Sequence, residues 1–421
     1  MMWAMKQHHI RYTILFVSII ILTVGVLAFF VYARGERTVM VTPSTTITFQ
    51  TPEIPQTITT PFVCNAQTLL ASSSDQRWCD ELPLINRTRL FQIDLTHNVI
   101  LFFQDGILQK TFPVAYQAPY GKWFQTPTGF FEIGVKREKF MSSIFPVWME
   151  HAVQLYEDFF IHAIPYYQDG TRVTSKFSGG CIRLQDAVAQ DFYNTVQRGD
   201  SVVSYLSLND AQTKEGFISP VATSSFWIRQ RFNSPLKSDW SWYEDKQFNY
   251  IQHTGVDFAP KQDAKDLSVY ALASSTVEQI FYNGKDDGGL GNTIILSFDL
   301  QGEKKFALYG HLASINPAIF QGKQLQAGDV LGVVGNTGYG CNYWRVGEDG
   351  CDATGDPDIH THIEIKDSPV LASPISDECT LPSGKKTQCI GSTSGNPTAF
   401  GYEDPIGIIF SSGVVPQSSE Y

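Results

Sequence analysis

Residues 12 to 33, YTILFVSIIILTVGVLAFFVYA, carry no charge. About twenty such residues in a helix reach ~30 Å, the thickness of a bilayer's hydrocarbon core. Lys6 and Arg11 precede the run and Arg34 and Arg37 follow it, so the flanking charge is balanced and does not orient a span. Val31 and Ala33 before Arg34 would suit cleavage of a signal peptide, the competing reading. The run exceeds the ~7–15 residues of a signal-peptide core, which favours an uncleaved signal anchor. Everything after it must then fold on one side of a membrane.

Residues 38 to 61 hold nine Thr and four Pro with neither helical nor strand periodicity. This composition predicts a semi-extended stalk; a first edge strand remains open for part of it. The cysteines suggest which side of the membrane the bulk occupies. Six of the seven form close pairs, Cys64/Cys79, Cys341/Cys351 and Cys379/Cys389. Short stapled loops are typical of exported domains, although six cysteines allow fifteen connectivities. No C-x-x-C occurs, which weakens a zinc-ribbon reading. The expectation is a single-pass cell-membrane protein, N-terminus inside, with its domains outside the cytoplasm in cell wall or periplasm. The formal net charge of −11, with only 17% charged residues, argues against a nucleic-acid binder, which would need a basic face. Frequent Gly, Pro and aromatic residues favour a mainly β fold.

Cys181 is the cysteine left over, and an odd cysteine in an exported protein is reactive or pairs between molecules. From Arg89 the sequence turns to strands. LFQIDL, NVILFFQDG and ILQKTFPVAY alternate around a turn at Asp105-Gly106, and FFEIGV follows Thr126-Pro127-Thr128-Gly129. His162 ends an apolar run, and Cys181 follows Ser178-Gly179-Gly180. Glycines there allow substrate close to backbone N–H groups, and an imidazole supplies the base a thiol needs. The alternative is an inert buried thiol with a core histidine.

TPTG, His162 and the segment SGGCIR resemble the YkuD-type L,D-transpeptidase domain over about residues 87 to 206. The resemblance implies a β-sandwich-like fold, Cys181 as nucleophile and His162 as its base. It implies an oxyanion hole at Gly180 and the Cys181 N–H, and Arg183 as a holder of substrate carboxylate. One position departs: Gly179 stands where the family usually has a second His.

A second constellation comprises His253-Thr254-Gly255-Val256-Asp257, His311 after Tyr309-Gly310, and His360-Thr361-His362 within DIHTHIEI. Imidazoles with one carboxylate suit zinc. The i, i+2 spacing of His360 and His362 puts both rings on one face of a strand. Strand-like runs SVYALASS, NTIILSFD, KKFALYGHL and DVLGVVGNTG surround them. Together with Asp404-Pro405, these motifs resemble the LytM/lysostaphin-type zinc endopeptidases over roughly residues 246 to 411. That resemblance implies an antiparallel β-sheet fold and one Zn2+ held by His253, Asp257 and His362. It implies His311 and His360 as the catalytic pair that orients the attacking water and stabilises the oxyanion. Two stretches depart in length, the one between Gly338 and His360 and an insertion at 367–400; either could wall the substrate groove or be a stapled surface loop.

The expected organisation is a cytoplasmic tail (1–11), the span (12–33), a linker with Cys64 and Cys79 (34–86), the first domain (87–206), a connector (207–245), the second domain (246–411) and a tail (412–421). The expected function is peptidoglycan remodelling on stem peptides, one site forming cross-links and the other cutting them. The alternative is a catalytically weak wall-binding scaffold or regulator of other hydrolases.

Overall fold

The computed structural model describes residues 62–63, 88–120, 125–142, 145–176, 178–236, 251–261, 264–282, 289–338, 359–380 and 386–416. The expected membrane span, almost all of the linker and the cysteines at 64, 79, 341 and 351 lie outside the described residues. Among the described residues, no helix is long and apolar enough to cross a membrane.

The first domain is two sheets and one helix. A six-stranded sheet runs in the order Phe62–Val63, Ile107–Pro113, Val99–Gln104, Arg89–Asp94, Ser201–Tyr205, Gly129–Glu132. A five-stranded sheet orders Ile182–Leu184, Phe159–Ala163, Val147–Tyr156 and Lys136–Met141, with Tyr166–Tyr167 on the edge of the third. The helix Asp186–Thr195 packs between them, Phe192 meeting Phe91 and Phe112 edge-on at 5.6 and 5.3 Å.

The expected polar/apolar alternation of the early strands is not what the structure has. Leu90 through Asp94 and Val99 through Phe103 are buried without a break. Strand side chains still alternate between faces, but both faces are covered. Phe91, Ile93, Ile100 and Phe102 face the helix and the other sheet. Leu90, Val99, Leu101 and Phe103 face away from them, onto Trp227 and Ala259 of the second domain.

The second domain is built on an eight-stranded sheet. Its order is Phe226–Gln230, Val256–Pro260, Thr361–Lys366, Glu303–Gly310, Asn292–Leu300, Ser275–Tyr282 and Gln324–Leu325, with Tyr402–Glu403 also paired to Thr361–Lys366. The run SVYALASS does not form one strand. It divides into Ser268–Tyr270 and the start of Ser275–Tyr282, because the chain turns inward and Leu272 N–H donates to the Tyr309 hydroxyl at 3.0 Å.

The stretch expected as a connector supplies the outermost strand of this sheet, Phe226–Gln230, and bridges to the first domain through Leu206 and Ile228. Trp227 is 1% exposed, with its ring edge-on to Tyr205 and Phe130 at 5.5 and 5.8 Å. Polar ties reinforce the junction. The Thr96 hydroxyl donates to the Val414 carbonyl at 2.7 Å, and the Tyr120 hydroxyl donates to Asp404 Oδ2 at 2.6 Å. Described residues of both domains therefore share one core.

Candidate functional site

The first candidate centre lies where two parallel strands meet. Ile182–Leu184 pairs with Phe159–Ala163 so that Arg183 lies opposite His162 and Ile182 opposite Ile161. Cys181 thus falls level with Phe160, whose N–H points at its sulfur at 3.4 Å. Cys181 is a free cysteine, partly exposed. Its Sγ also lies 3.7 Å from the Asp158 carbonyl. Burial pushes the thiol up to about 11. His162 is buried, and burial lowers its imidazole to about 4. Its Nδ1 donates to the Ala163 carbonyl at 2.6 Å, leaving Nε2 as the proton acceptor. Burial thus favours the uncharged form of both the Cys181 thiol and the His162 imidazole.

The turn before Cys181 is held from both sides. The Ser178 hydroxyl donates to the Cys181 carbonyl, and the Thr126 hydroxyl donates to the Gly180 carbonyl at 2.9 Å. Gly180 has φ 103°, a conformation that disfavours any side chain. Arg183 Nη1 donates to the Ser175 carbonyl at 2.7 Å. A Cβ on Gly179 would meet only the Phe145 ring edge, at 3.5 Å, so space does not exclude a larger residue there.

The second centre draws its side chains from three neighbouring segments. Asp257 lies opposite His362 in the sheet, and His362 lies opposite Gly310, which precedes His311. His253 ends the strand Ile251–His253, which is flanked by Ser392–Thr393 from the 367–400 insertion. Three donor atoms converge. His253 Nε2 is 3.0 Å from His362 Nδ1, His362 Nδ1 is 2.9 Å from Asp257 Oδ1, and His253 Nε2 is 3.2 Å from Asp257 Oδ1.

The partners of the remaining atoms show why these three face inward. His253 Nδ1 donates to the Arg231 carbonyl at 3.2 Å, so its Nε2 lone pair faces the centre. His362 Nε2 donates to Glu364 Oε1 at 3.1 Å, which orients Nδ1 inward. Arg229 Nη2 donates to Asp257 Oδ2 at 3.1 Å, leaving Oδ1 for the centre. Two imidazole nitrogens and a carboxylate oxygen aimed at one buried point require a cation or a proton between them. These residues form a group able to hold a metal ion. The triangle's edges are close to the ~3.3 Å set by three donors ~2.0–2.1 Å from a tetrahedral Zn2+. The residues present fit that ion.

Electrostatics agree. Burial alone would raise the Asp257 carboxyl, but the imidazoles of His253 and His360 hold it well below the usual carboxylate range. Burial opposes charge on His362 as well, yet its hydrogen bonds to Asp257 and Glu364 raise it to about 9. Without a cation, a proton on His362 bridges the site. Glu364 is itself held by Lys366 Nζ at 2.7 Å and the Thr254 hydroxyl at 2.6 Å.

His311 and His360 lie beside the triangle, their rings 4.6 Å apart. His311 Nδ1 donates to the Thr337 carbonyl at 2.8 Å, and burial lowers its imidazole to about 4. His360 N–H donates to the Gly335 carbonyl at 3.0 Å. Burial and the Arg229 charge push the His360 imidazole well below its ordinary value. The GVVGNTG segment therefore holds the His311 ring and the His360 backbone through its carbonyls.

Comparison with known proteins follows the same division. Residues 88–203 match the family YkuD, L,D-transpeptidase catalytic domain, and residues 251–370 match peptidase family M23. The chain joins an L,D-transpeptidase domain to an M23 peptidase domain. No curated protein matches it. Among solved structures it is similar to a fused Zn-dependent amidase/peptidase/peptidoglycan-binding domain-containing protein from Clostridium acetobutylicum, at 22% identity, TM-score 0.24, covering 28% of this chain and 52% of that one. A Stackebrandtia nassauensis L,D-transpeptidase is similar at 22% identity and TM-score 0.25, covering 33% of this chain and 62% of that one. The catalytic domain of a prophage-encoded M23 protein from Enterococcus faecalis is similar at 20% identity and TM-score 0.19, covering 32% and 75%. The chain thus spans under two thirds of the first two structures.

All the residues singled out in the M23 domain come together. In the L,D-transpeptidase domain, Gly180, Cys181, His162 and Arg183 share two adjacent strands and the turn before one of them. Sequence reasoning missed Glu364, Arg229 and Arg231. Glu364 carried a usable signal, being i+2 from His362 and so on the same strand face. Arg229 and Arg231 carried none, because their targets are 28 and 22 residues away.

Proposed function

We propose that the protein is a peptidoglycan-remodelling enzyme with two working centres acting on stem peptides, tethered to the cell membrane by residues 12–33 with its domains outside the cytoplasm. In the first, Cys181 Sγ attacks a stem-peptide carbonyl while His162 Nε2 takes the thiol proton. The S–C bond forms, the C–N bond breaks, and the leaving amine departs with that proton. Gly180 and the Cys181 N–H receive the developing oxyanion, and Arg183 holds a substrate carboxylate. An amine from a second stem then takes the acyl group and forms a cross-link; water in its place gives carboxypeptidase activity.

In the second, His253, Asp257 and His362 hold Zn2+, which when bound polarises a peptide carbonyl and makes water a nucleophile at neutral pH. His311 and His360 orient that water, move its proton and stabilise the oxyanion as a cross-link is cut. Thr337 and Gly335 hold those two residues in place. The observation that carries the reading is the buried triangle of His253, Asp257 and His362 donor atoms. The pairing of Cys379 with Cys389 belongs to the same proposal; it is supported by the hairpin Glu378–Thr380/Lys386–Gln388, in which Cys379 lies opposite Thr387, two residues before Cys389.

One observation favours a binding-only first centre, the glycine at position 179 in place of an imidazole. Digestion of purified sacculi by the full-length chain, with muropeptides read by mass spectrometry, decides between the readings. Zinc-dependent loss of cross-links that disappears in His362→Ala, and new L,D cross-links that disappear in Cys181→Ala, are expected. Unchanged muropeptides in all samples would reduce the protein to a scaffold.

A further inference from the structure

A continuous path of buried hydrogen bonds joins the two centres. The Gly180 carbonyl, one peptide from the Cys181 thiol, accepts from the Thr126 hydroxyl. The Thr126 carbonyl accepts from Arg231 Nη2. The Arg231 N–H donates to the Thr128 hydroxyl at 3.1 Å, and the Arg231 carbonyl accepts from His253 Nδ1 at 3.2 Å. Thr126, Thr128 and Arg231 are fully buried and His253 nearly so. Water cannot substitute for a lost partner along this path.

Arg231 is the junction. Its guanidinium belongs to the L,D-transpeptidase side, whereas its backbone carbonyl sets which nitrogen of His253 faces the M23 centre. Among the described residues, Nε and Nη1 of Arg231 have no hydrogen-bond partner. A buried guanidinium engaged mainly through one nitrogen is weak evidence for stability. Its distinctive property here is the link from the Thr126 loop to His253.

We propose that Arg231 is a positioning residue common to both centres, so that metal loading at His253 changes the reactivity of Cys181. Loading fixes the His253 ring and hence the Arg231 carbonyl. The side chain transmits that constraint to Thr126, whose hydroxyl holds the turn carrying the thiol. Coupling of this kind is reciprocal for binding, so a ligand bound beside Cys181 changes zinc affinity by the factor by which zinc changes that ligand's affinity.

The inference rests on the two-centre reading above, but its test needs no turnover. The full-length chain is stripped of metal or loaded with Zn2+, and loading is verified by competition with a chromophoric chelator. Iodoacetamide labelling of Cys181 is then followed by mass spectrometry of its peptide. The labelling rates of the loaded and stripped protein are expected to differ by about fivefold. Thr126→Val and Arg231→Lys should bring them together, and Thr126→Ser should restore the difference. A role confined to holding the domains together would change stability without making labelling zinc-dependent. Equal rates in the native chain with zinc demonstrably bound overturn the proposal, and that comparison needs no variant to fold. A folded Thr126→Val that keeps the full difference overturns it too. Failure to act on sacculi would strike the function, whereas zinc-insensitive labelling strikes only the coupling.

Discussion

His253 Nε2 and His362 Nδ1 face each other across 3.0 Å while the far nitrogen of each ring is already committed, one to the Arg231 carbonyl and the other to Glu364. Turning either ring away would break one of these buried hydrogen bonds. The inward nitrogens are therefore directed at one point by partners outside the triangle.

One equivalent of Zn2+ is expected to bind. His362→Ala should abolish binding, and Glu364→Gln should weaken it ~10–100-fold by releasing the ring. His362 is raised to about 9, so at neutral pH zinc must displace its proton. Affinity should climb with pH up to about 9 and then level. Calorimetry in buffers of different ionisation heat would show the released proton; a pH-independent affinity contradicts the bridging proton.

Gly255→Ala should destroy the metal site while leaving the Cys181 centre folded. A Cβ at 255 would lie 2.5 Å from the Ile363 carbonyl and 2.8 Å from His362 Cε1. Neither can yield, since one is backbone and the other a ring pinned on both sides. Zinc content near zero, with Cys181 labelled at the rate of the metal-stripped native chain whether or not Zn2+ is added, is the expected result.

Burial of the Cys181 thiol and of the His162 imidazole makes a pH prediction. With the thiol at about 11, alkylation of Cys181 should keep rising from pH 7 to 10. A plateau near pH 7 would mean a thiolate–imidazolium pair instead. His162 has a second consequence, for stability. Its folded value of about 4 lies below the ordinary 6.5, so below pH 6.5 the unfolded chain takes up the proton first. The stability associated with the neutral ring is complete above 6.5 and is lost as pH falls to about 4, by roughly 3 kcal/mol in all. Urea titrations of His162→Gln between pH 7 and 4 should lose less than the native chain by about that amount.

Trp227→Ala should destabilise both domains together. The ring fills the face of the first sheet between Phe130 and Tyr205, so its loss should cost about 3–5 kcal/mol. A single cooperative unfolding transition in the native chain, lowered as one in the variant, would show that the shared core is energetically real. Two independent transitions would contradict it.

Most of each centre was legible because its chemistry is local in the chain. HTGVD, HTH and SGGC put ligands and nucleophile within a few residues of one another, and strand alternation assigns their faces. What joined these motifs was not legible. The apolar run VILFF reads as one side of a sheet, yet it is buried on both sides because Trp227, more than a hundred residues later, lies on its outer face.

By itself, the sequence singled out the side chains suited to carry chemistry and, for His360 and His362, placed both on one strand face, since backbone geometry converts i, i+2 spacing directly into direction. Only the tertiary structure decided which nitrogen of each imidazole turns inward, which carboxylate oxygen is left for a cation, and that Arg231 touches both centres. Those outcomes depend on the register between strands far apart in the chain and on which buried donors and acceptors that register brings together. Neither is written in any local pattern of residues.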